Sequence, residues 1–374
     1  MKYDFTSIMD RHGKDAIAVD GLGTGFAPDL PKDGFDIIPM WVADMNFPTV
    51  PTIPEAIIER AKHPAFGYFQ ATDEYYDSII QWQATRNGVT GLTKEAIGYE
   101  NGVLGGVISA LTAFAAPGDG VLLHSPTYIG FTMSINNNGY KIVHSPLKKD
   151  ENGIWRMDYE DMDAKLKAEK IHVAVFCSPH NPCGRVWERW ELEKAMEVYK
   201  ANDCIVISDE IWSDIIYSER PFVSINSLGP ELNKKTISFY GFSKGFALPG
   251  LRAGYLYTLN AEAFETAMHR CYDLAAGVDY LTQIAMKTAV TDCWYWVDAF
   301  VERLQSNRDY LVERMNAMPL LHAPKPEATF VSFFDVRKTG MSSQQFADYS
   351  KEHCKVALVP GTVKWFGPGG EGNV

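Results

Sequence analysis

A lysine in a small, apolar segment is the first residue whose setting suggests chemistry. Lys244 lies in the stretch from Gly241 to Gly254, which reads GFSKGFALPGLRAG. A lysine among such neighbours is expected to have a lowered pKa, which favours the neutral amine that forms imines. Arg252 follows eight positions later and could pair with a phosphate group. An isolated lysine is normally a solvated surface group, so a chemical role for Lys244 requires support from other residues.

Two polar residues stand where apolar runs end. Asp209 follows the run from Cys204 to Ser208, and an acid in that position is costly to bury without a partner. A protonated ring nitrogen would be such a partner, although a helix N-cap or a salt bridge explains the acid equally well. Asn181 lies in the loop SPHNPCG after another apolar run and could donate a hydrogen bond to a ligand oxygen. Its neighbour His180 is expected to be structural.

A glycine-rich turn and a tyrosine follow two further apolar runs. The turn covers Glu100–Gly106 and precedes a helical stretch over Val107–Ala115. Backbone N–H groups at the start of a helix suit a phosphate group. Tyr128 could present its ring to a flat ligand. Taken alone, the glycines also fit a tight turn, and the tyrosine also fits simple packing.

Each of these candidate residues follows a predicted strand. The predicted strands cover Ala96–Tyr99, Gly120–His124, Val173–Cys177, Cys204–Ser208 and Thr236–Tyr240. Helical stretches such as Tyr159–Lys170 and Glu188–Lys200 lie between them, which predicts an α/β fold with a mostly parallel sheet. Open α/β sheets bind ligands beyond the carboxyl ends of their strands. Candidate residues at all of these strand ends therefore favour one shared ligand.

The last third of the chain predicts a second, smaller domain. The expected elements are helices at Ala261–Ala276 and Ala285–Met318, a strand at Ala328–Val336 and a helix at Ser343–His353. With 374 residues, the chain exceeds the roughly 250–300 residues at which a single core stops growing. We expect residues 48–284 to form the large domain, and residues 1–47 with 285–374 to form a smaller α+β domain.

The composition argues against several classes of function. A net charge of -12 and the lack of a basic stripe disfavour nucleic acid as a partner. The six cysteines contain no C-x-x-C pair, which disfavours a disulfide framework or structural zinc and favours a reducing compartment. No apolar run of about 18 residues predicts a membrane span, and the N-terminus has no apolar signal region. The expected location is the cytoplasm.

The segment around Lys244 resembles the pyridoxal 5'-phosphate (PLP) attachment motif of class I/II aminotransferases, which are fold type I PLP enzymes. The SPHNPCG loop and the SDE sequence at 208–210 match the same family, and the resemblance covers nearly the whole chain. Two N-terminal segments are similar to the cystathionine β-lyase-like C–S lyases within that family. They read RHG at 11–13 and IPMWVADMNF at 38–47, and FGY at 66–68 agrees with the same branch.

The resemblance implies a role for each candidate residue. Lys244 would form the Schiff base with PLP and later move protons at Cα, while Asp209 would keep the pyridine nitrogen protonated. Asn181 would hydrogen-bond the phenolic oxygen of the ring, and Tyr128 would stack on the ring. The remaining expected cofactor contacts are Val103, Leu104, Trp212, Ser243, Arg252 and Tyr68.

The phosphate and substrate contacts also follow from the resemblance. Val103 and Leu104 would offer backbone N–H groups to the phosphate, and Arg252 would add charge. Tyr68 would reach the phosphate from a neighbouring subunit, so the resemblance implies a homodimer. The expected contacts to a small amino-acid substrate are Ala43, Asp44 and Asn181.

Three positions depart from the family pattern. Trp212 stands where aminotransferases commonly have a tyrosine and the lyase branch often a histidine, and an indole donates one hydrogen bond but accepts none. Asn46 replaces an expected acid, although Asp44 is retained. The family places its substrate-carboxylate arginine just beyond a glycine-rich segment such as the one that ends at Val374. We expect either a truncated C-terminal end, with the arginine after Val374, or a chain without it.

These similarities imply a PLP-dependent carbon–sulfur β-lyase of cysteine and methionine metabolism. Such an enzyme would cleave L-cystathionine or related cysteine S-conjugates by β-elimination to a thiol, pyruvate and ammonia. Transamination on the same scaffold is the alternative, because the attachment motif does not separate the two reactions. A non-catalytic partner-binding protein of the same fold is a further alternative, against which the intact Lys244, Asp209 and Arg252 argue.

Overall fold

The predicted parallel strands are present in one large sheet. A computed structural model describes residues 3–7, 9–25, 27–30, 38–217, 220–275 and 277–374. Its strands are β1 (Ile38–Pro39), β2 (Ile97–Asn101), β3 (Gly120–Ser125), β4 (Lys141–Pro146), β5 (Lys148–Lys149), β6 (Trp155–Arg156), β7 (Val173–Cys177), β8 (Ile205–Asp209), β9 (Thr236–Gly241), β10 (Ala253–Tyr257) and β11 (Val356–Ala357).

Helices alternate with the strands along most of the chain. The helices are α1 (Ile17–Asp20), α2 (Thr52–Ala61), α3 (Asp73–Asn87), α4 (Val103–Phe114), α5 (Ile129–Asn137), α6 (Tyr159–Ala168), α7 (Arg189–Ala201), α8 (Pro230–Asn233), α9 (Ala261–Ala275), α10 (Tyr280–Asn316), α11 (Ser343–Tyr349) and α12 (Val363–Phe366). A π-helical turn over Ser350–Cys354 continues α11 to the end of the predicted helix. Ala276, the last residue of another predicted helix, lies outside the described residues.

The large sheet has the order β2-β10-β9-β8-β7-β3-β4. β10 pairs antiparallel with both of its neighbours, and the remaining pairs are parallel. Every residue of β7 is buried, because Val173 and Val175 pack in a core with α4, α5 and α9 while Ala174 and Phe176 pack with α6 and α7. A parallel sheet covered on both faces confirms the predicted α/β class.

Helix α4 begins four residues earlier than the sequence predicted. Gly102 has a φ of +77° and ends the turn after β2, so Gly105 and Gly106 lie inside the helix. Gly106 is needed there for packing, since a Cβ at this position would lie 2.5 Å from the ring of Phe239 on β9. The glycines therefore bring the start of α4 close to the sheet.

A separate two-stranded sheet joins the N-terminal part of the chain to its C-terminal part. β1 pairs in parallel with β11, so residues 38–39 lie against residues 356–357. The long helix α10 runs across the predicted domain boundary at residue 285. The boundaries of the two domains stay a prediction. In the described part of the chain, no helix is both long enough and apolar enough to cross a membrane.

The predicted strand at Ala328–Val336 is wrong. Only Ala328 and Asp335 form isolated bridges there, Ala328 with Ile216 and Asp335 with His322 and Asn373. Thr329 has a φ of +70°, a left-handed conformation that interrupts an extended chain. The apolar residues of this segment therefore pack from an irregular loop rather than from a strand.

The two adjacent glycines of α4 provide a test of this packing. Gly106→Ala should lower the free energy of unfolding by about 1–3 kcal/mol, because its Cβ must displace Phe239 or Glu100. Gly105→Ala is the matched control. Its Cβ meets nothing closer than 3.8 Å, so alanine should leave stability unchanged or raise it by up to about 1 kcal/mol. Urea unfolding of both variants measures the difference, and equal midpoints would contradict the packing argument.

Candidate active site

The sheet topology brings the candidate residues to one edge. In the register of the sheet, Cys177 pairs with Asp209, and Asp209 pairs with Phe239. The loops that follow β7, β8 and β9 therefore start side by side. At the same edge β10 begins where β2 ends, with Ala253 opposite Asn101. This arrangement is the physical reason why residues far apart in sequence share one site.

The start of α4 and Arg252 form a cradle for an anion. The N–H of Gly102 donates to the carbonyl of Arg252 at 2.9 Å, which fixes the two segments together. The first-turn N–H groups of α4, including those of Val103 and Leu104, have no acceptor within the helix. The guanidinium of Arg252 is exposed and makes no hydrogen bond or ion pair with any described residue. An unpaired cation beside a helix N-terminus suits a phosphate group.

Asp209 is a buried carboxylate without a cation in hydrogen-bond contact. Its Oδ1 accepts a hydrogen bond from the N–H of Ile211 at 2.9 Å, and no donor among the described residues reaches Oδ2. Burial raises the pKa of Asp209 to about 7, although that hydrogen bond and the charge of Lys244 act in the opposite direction. A ligand that brings a cation to Oδ2 would relieve this cost.

Glu210 holds Asp209 in position, and sequence reasoning missed it. Glu210 is fully buried, and Tyr257 donates a hydrogen bond to its Oε2 at 2.5 Å. Its Oε1 accepts from the hydroxyls of Ser208, Ser224 and Ser238 at 3.1–3.2 Å. Since these donors come from separate segments, the end of β8 is immobilised. The sequence signal of this network is one serine on each of two neighbouring strands, Ser208 of β8 and Ser238 of β9, which are register partners.

The amine of Lys244 is enclosed by the N-terminal segment and by Trp212. Lys244 Nζ donates to the carbonyl oxygen of Ala43 at 2.5 Å and lies 5.1 Å from the centre of the Trp212 ring. Burial lowers the pKa of Lys244 to about 8, while the charges of Asp44 and Asp209 raise it. About a tenth of the amine is therefore neutral and nucleophilic at pH 7, far more than for an ordinary lysine.

The two N-terminal segments that resemble C–S lyases meet at this lysine. Arg11 forms an ion pair with Asp44 at 2.6 Å and donates to the carbonyl of Met45 at 3.1 Å. A weaker contact of 3.5 Å joins Arg11 to the Oδ1 of Asn46. Because Asp44 follows Ala43, the ion pair holds the carbonyl that Lys244 contacts.

Asn181 and Tyr128 follow strands that end at the same sheet edge. The amide of Asn181 and the ring of Tyr128 are both available to a ligand. Asn181 is 9% exposed, and its side chain makes no hydrogen bond to a described residue. Tyr128 is 37% exposed, and its ring meets Phe131 edge-on at 5.4 Å. Burial and the charge of Asp209 raise the pKa of Tyr128 while Arg252 lowers it, so its hydroxyl lies within electrostatic range of both.

Two residues around Tyr128 support its position, and of these sequence reasoning missed Gly130. A Cβ at Gly130 would lie 2.2 Å from the Tyr128 ring, so this glycine makes room for the ring. His180 is buried and contacts the carbonyl of Pro126 at 2.8 Å, which joins the Asn181 loop to the Tyr128 loop. Burial lowers the pKa of His180 to about 4, so the ring is neutral. These contacts fit the expected structural role of His180.

Tyr68 is the one predicted site residue that this chain leaves outside the cluster. Its side chain is fully exposed and contacts none of the described side chains. Phe66, two residues earlier, is 58% exposed. Ser243 is half-buried directly before Lys244. The assignment of roles to all of these residues stays a prediction.

The site as a whole fits a ligand with a phosphate, a basic ring nitrogen and a carbonyl carbon. The α4 cradle and Arg252 suit the phosphate, the free oxygen of Asp209 suits a protonated ring nitrogen, and the neutral amine of Lys244 suits the carbonyl carbon. PLP carries all three groups. The donor set of the site therefore fits this cofactor.

Comparison with known proteins agrees with that chemistry. The family model described as aminotransferase class I and II matches residues 36–369. The chain belongs to this family. Cystathionine beta-lyase PatB of Bacillus subtilis is 30% identical over 341 residues, which cover 90% of this chain and 87% of PatB. Relatives named aspartate aminotransferase also match across most of the chain.

Two solved structures with bound PLP are similar to this chain. Cystalysin of Treponema denticola, which contains PLP, superimposes with a TM-score of 0.92 at 26% identity and covers 100% of this chain and 93% of its own. The PLP-bound C-S lyase of Staphylococcus hominis gives a TM-score of 0.89 at 28% identity with the same coverage. These similarities confirm the predicted PLP cofactor and the predicted C–S lyase branch.

Arg252 should contribute mainly to recognition of the phosphate. We expect Arg252→Gln to weaken PLP binding to the cofactor-free protein by about 10–100-fold, since hydrogen bonds to a charged group contribute about 1.5–3 kcal/mol. Binding of pyridoxal, which lacks the phosphate, should change little. Titration of both ligands, followed by absorbance of the imine, measures the two affinities. Equal losses for PLP and pyridoxal would remove Arg252 from the phosphate site.

Asp209 should destabilise the protein while the cofactor is absent. Its folded-state pKa of about 7 lies above the ordinary value of 3.8, so the unfolded chain binds fewer protons between these values. Stability from this group is therefore lost as the pH rises from about 4 to 7, by at most roughly 4 kcal/mol. Asp209→Asn should raise the melting temperature of the cofactor-free protein at pH 8 but not at pH 4.

The surface variant Asp77→Asn is the control for this comparison, because Asp77 is exposed. It should leave the melting temperature unchanged at both pH values. With added PLP, the wild type should melt at a higher temperature than Asp209→Asn, since only the carboxylate can neutralise the protonated ring. If Asp209→Asn without cofactor melts at a lower temperature than the wild type at pH 8, the buried carboxylate does not destabilise the protein and the prediction is wrong.

Proposed function

We propose that this protein catalyses PLP-dependent β-elimination from cysteine S-conjugates, with L-cystathionine as a substrate. The products are a thiol, pyruvate and ammonia. The observation that carries the proposal is the contact of Lys244 with Ala43, because it joins the reactive lysine to the segment that resembles C–S lyases. The Arg11–Asp44 ion pair holds that segment in place, and the similarity to PatB supports the same reaction.

The residues around the cofactor divide into three groups by function. Val103, Leu104, Ser243 and Arg252 hold the phosphate, with Tyr68 of a second subunit. Tyr128 would stack on the ring, and Asn181 and Trp212 would serve its phenolic oxygen. Asp209 keeps the ring nitrogen protonated, and its burial without a cation supports this role. When bound, the cofactor supplies an electron sink for the electron pair left at Cα.

Lys244 carries the proton during elimination. Its neutral amine removes the Cα proton of the substrate, which leaves the amine as an ammonium group. The C–S bond then breaks, and the sulfur leaves with the bonding electron pair. The Lys244 ammonium returns its proton to the sulfur, so a thiol is released and the amine is restored. Ala43, whose carbonyl contacts Lys244, and Asp44 beside it are assigned to substrate contact together with Asn181.

Transamination is the second candidate, and relatives named aspartate aminotransferase favour it. The same lysine would then deliver its proton to the cofactor rather than to a leaving sulfur. None of the contacts of Asp209 or Arg252 distinguishes the two outcomes, since both reactions need the same electron sink and phosphate site. The N-terminal segment at Lys244 is what favours elimination.

The assembly and the cellular location are part of the same proposal. A homodimer is supported by Tyr68 and Phe66, which are exposed in the single chain and have the chemistry of interface residues. A cytoplasmic location is supported by the six cysteines, which are all free thiols. Sulfur amino-acid metabolism is supported by the similarity to PatB.

A product assay separates elimination from transamination. The PLP-loaded protein is given L-cystathionine without a keto acid, and pyruvate is measured over time. Elimination regenerates the enzyme, so pyruvate should exceed the protein concentration many times. Transamination without a keto acid should stop after one equivalent of product, and that result would assign the chain to the second candidate.

Lys244→Ala tests whether the protein acts by catalysis at all. Loss of the base and of the covalent anchor should reduce pyruvate formation by at least about 10³-fold. Lys287→Ala is the matched control, because Lys287 lies on α10 and is not among the residues assigned to the site. It should retain wild-type turnover. Unchanged turnover in Lys244→Ala would refute the assigned role of Lys244.

A further inference from the structure

Trp212 lies against the reactive lysine although its position departs from the family pattern. The side chain is 2% exposed and stands on the turn that follows β8. Phe330 packs edge-on against the Trp212 ring at 4.7 Å, with 79° between the ring planes. Lys244 Nζ lies 5.1 Å from the ring centre. This distance is within the roughly 6 Å range of a cation–π interaction.

The turn that carries Trp212 is fixed against the lysine loop. Asp214, two residues beyond Trp212, accepts a hydrogen bond from Trp82 at 3.1 Å and another from Tyr240. A Cβ at Gly245 would lie 2.9 Å from Asp214 Oδ2, so the residue after Lys244 rests directly on this turn. The indole and the amine therefore keep a defined relative position.

Few groups can stabilise a charged amine in this enclosure. The Ala43 carbonyl accepts one hydrogen bond from Nζ, and the charges that act on Lys244 are those of Asp44 and Asp209. Asp44 is already paired with Arg11, and the Asp209 carboxylate would be neutralised by a protonated ring nitrogen. Among the contacts of the Lys244 amine with described residues, the Trp212 ring is the one that attracts a cation without competing for protons.

We propose that Trp212 is a positioning residue that holds the protonated amine of Lys244 between removal of the Cα proton and release of the thiol. This inference rests on the proposed function, because it concerns the interval in which Lys244 carries the transferred proton. An indole neither accepts a hydrogen bond nor binds a proton there. It therefore retains the ammonium group near the substrate without removing the proton that the leaving sulfur requires.

The test measures the proton affinity of Lys244 without any amino-acid substrate. Cofactor-free protein is mixed with PLP across a pH series, and the rate of imine formation is followed by absorbance. Only the neutral amine reacts, so the midpoint of the rate profile reports the charge state of Lys244. Removal of the Trp212 face should lower the midpoint in Trp212→Met by about 0.5–1.5 pH units. Methionine fills the space without an aromatic ring.

Two further variants make the result decisive. Trp212→Phe keeps a weaker aromatic face, so its midpoint should fall between those of the wild type and Trp212→Met. Trp294→Leu replaces an exposed tryptophan of α10 and should leave the midpoint unchanged. Equal midpoints in the wild type and Trp212→Met would overturn the inference. If Trp212→Met does not fold, a wild-type midpoint in Trp212→Phe overturns it instead.

The outcome is distinguishable from failure of the proposed function. A lowered midpoint supports the Trp212 inference, and slower release of thiol from L-cystathionine by the loaded variants would complete it. Pyruvate formation with unchanged midpoints overturns the role of Trp212 alone. A lowered midpoint in a protein that forms no pyruvate overturns the proposed function, and with it the proton-carrying role assigned to this contact.

Discussion

The site depends on a carboxylate that the fold buries without a cation of its own. Asp209 ends a fully covered strand, and its second oxygen has no donor within the described chain. Such a group is unfavourable until a positive charge reaches it. In the proposed role of Asp209, this cost in the cofactor-free state would become a source of cofactor affinity, because a protonated ring would supply the missing charge. The assignment to a PLP family and the need of Asp209 for a positive charge therefore agree, since PLP carries a basic ring nitrogen.

Neighbouring networks keep this unfavourable group in place. Glu210 is also a buried acid, but its four side-chain hydroxyl donors satisfy it completely and tie β8 to adjacent segments. Asp214 accepts hydrogen bonds from Trp82 and Tyr240, which fix the turn that carries Trp212. A network of satisfied polar groups is rigid, and rigidity prevents Asp209 from turning toward water. The chemistry of one acid thus relies on two others that never meet the ligand.

Much of the fold could be predicted from apolar runs, because a strand buried on both faces has few sequence alternatives. β7 matched its predicted bounds, and β8 differed by one residue at each end. Prediction failed where packing overrode local pattern. The Ala328–Val336 segment has strand composition but lacks a partner strand, and Thr329 adopts a left-handed conformation. The start of α4 was missed because Gly106 serves helix–sheet contact rather than a turn.

The sequence by itself determined the identity of the reactive groups. Lys244, Asp209, Asn181 and Arg252 could be named from their places after predicted strands, since parallel strands deliver their carboxyl ends to one edge. Only the tertiary structure decided the environment of each group. It placed the Ala43 carbonyl and the Trp212 ring on the lysine amine and left the Arg252 guanidinium unpaired. Those properties depend on distances between segments up to 201 residues apart, and no local pattern of residues encodes such distances.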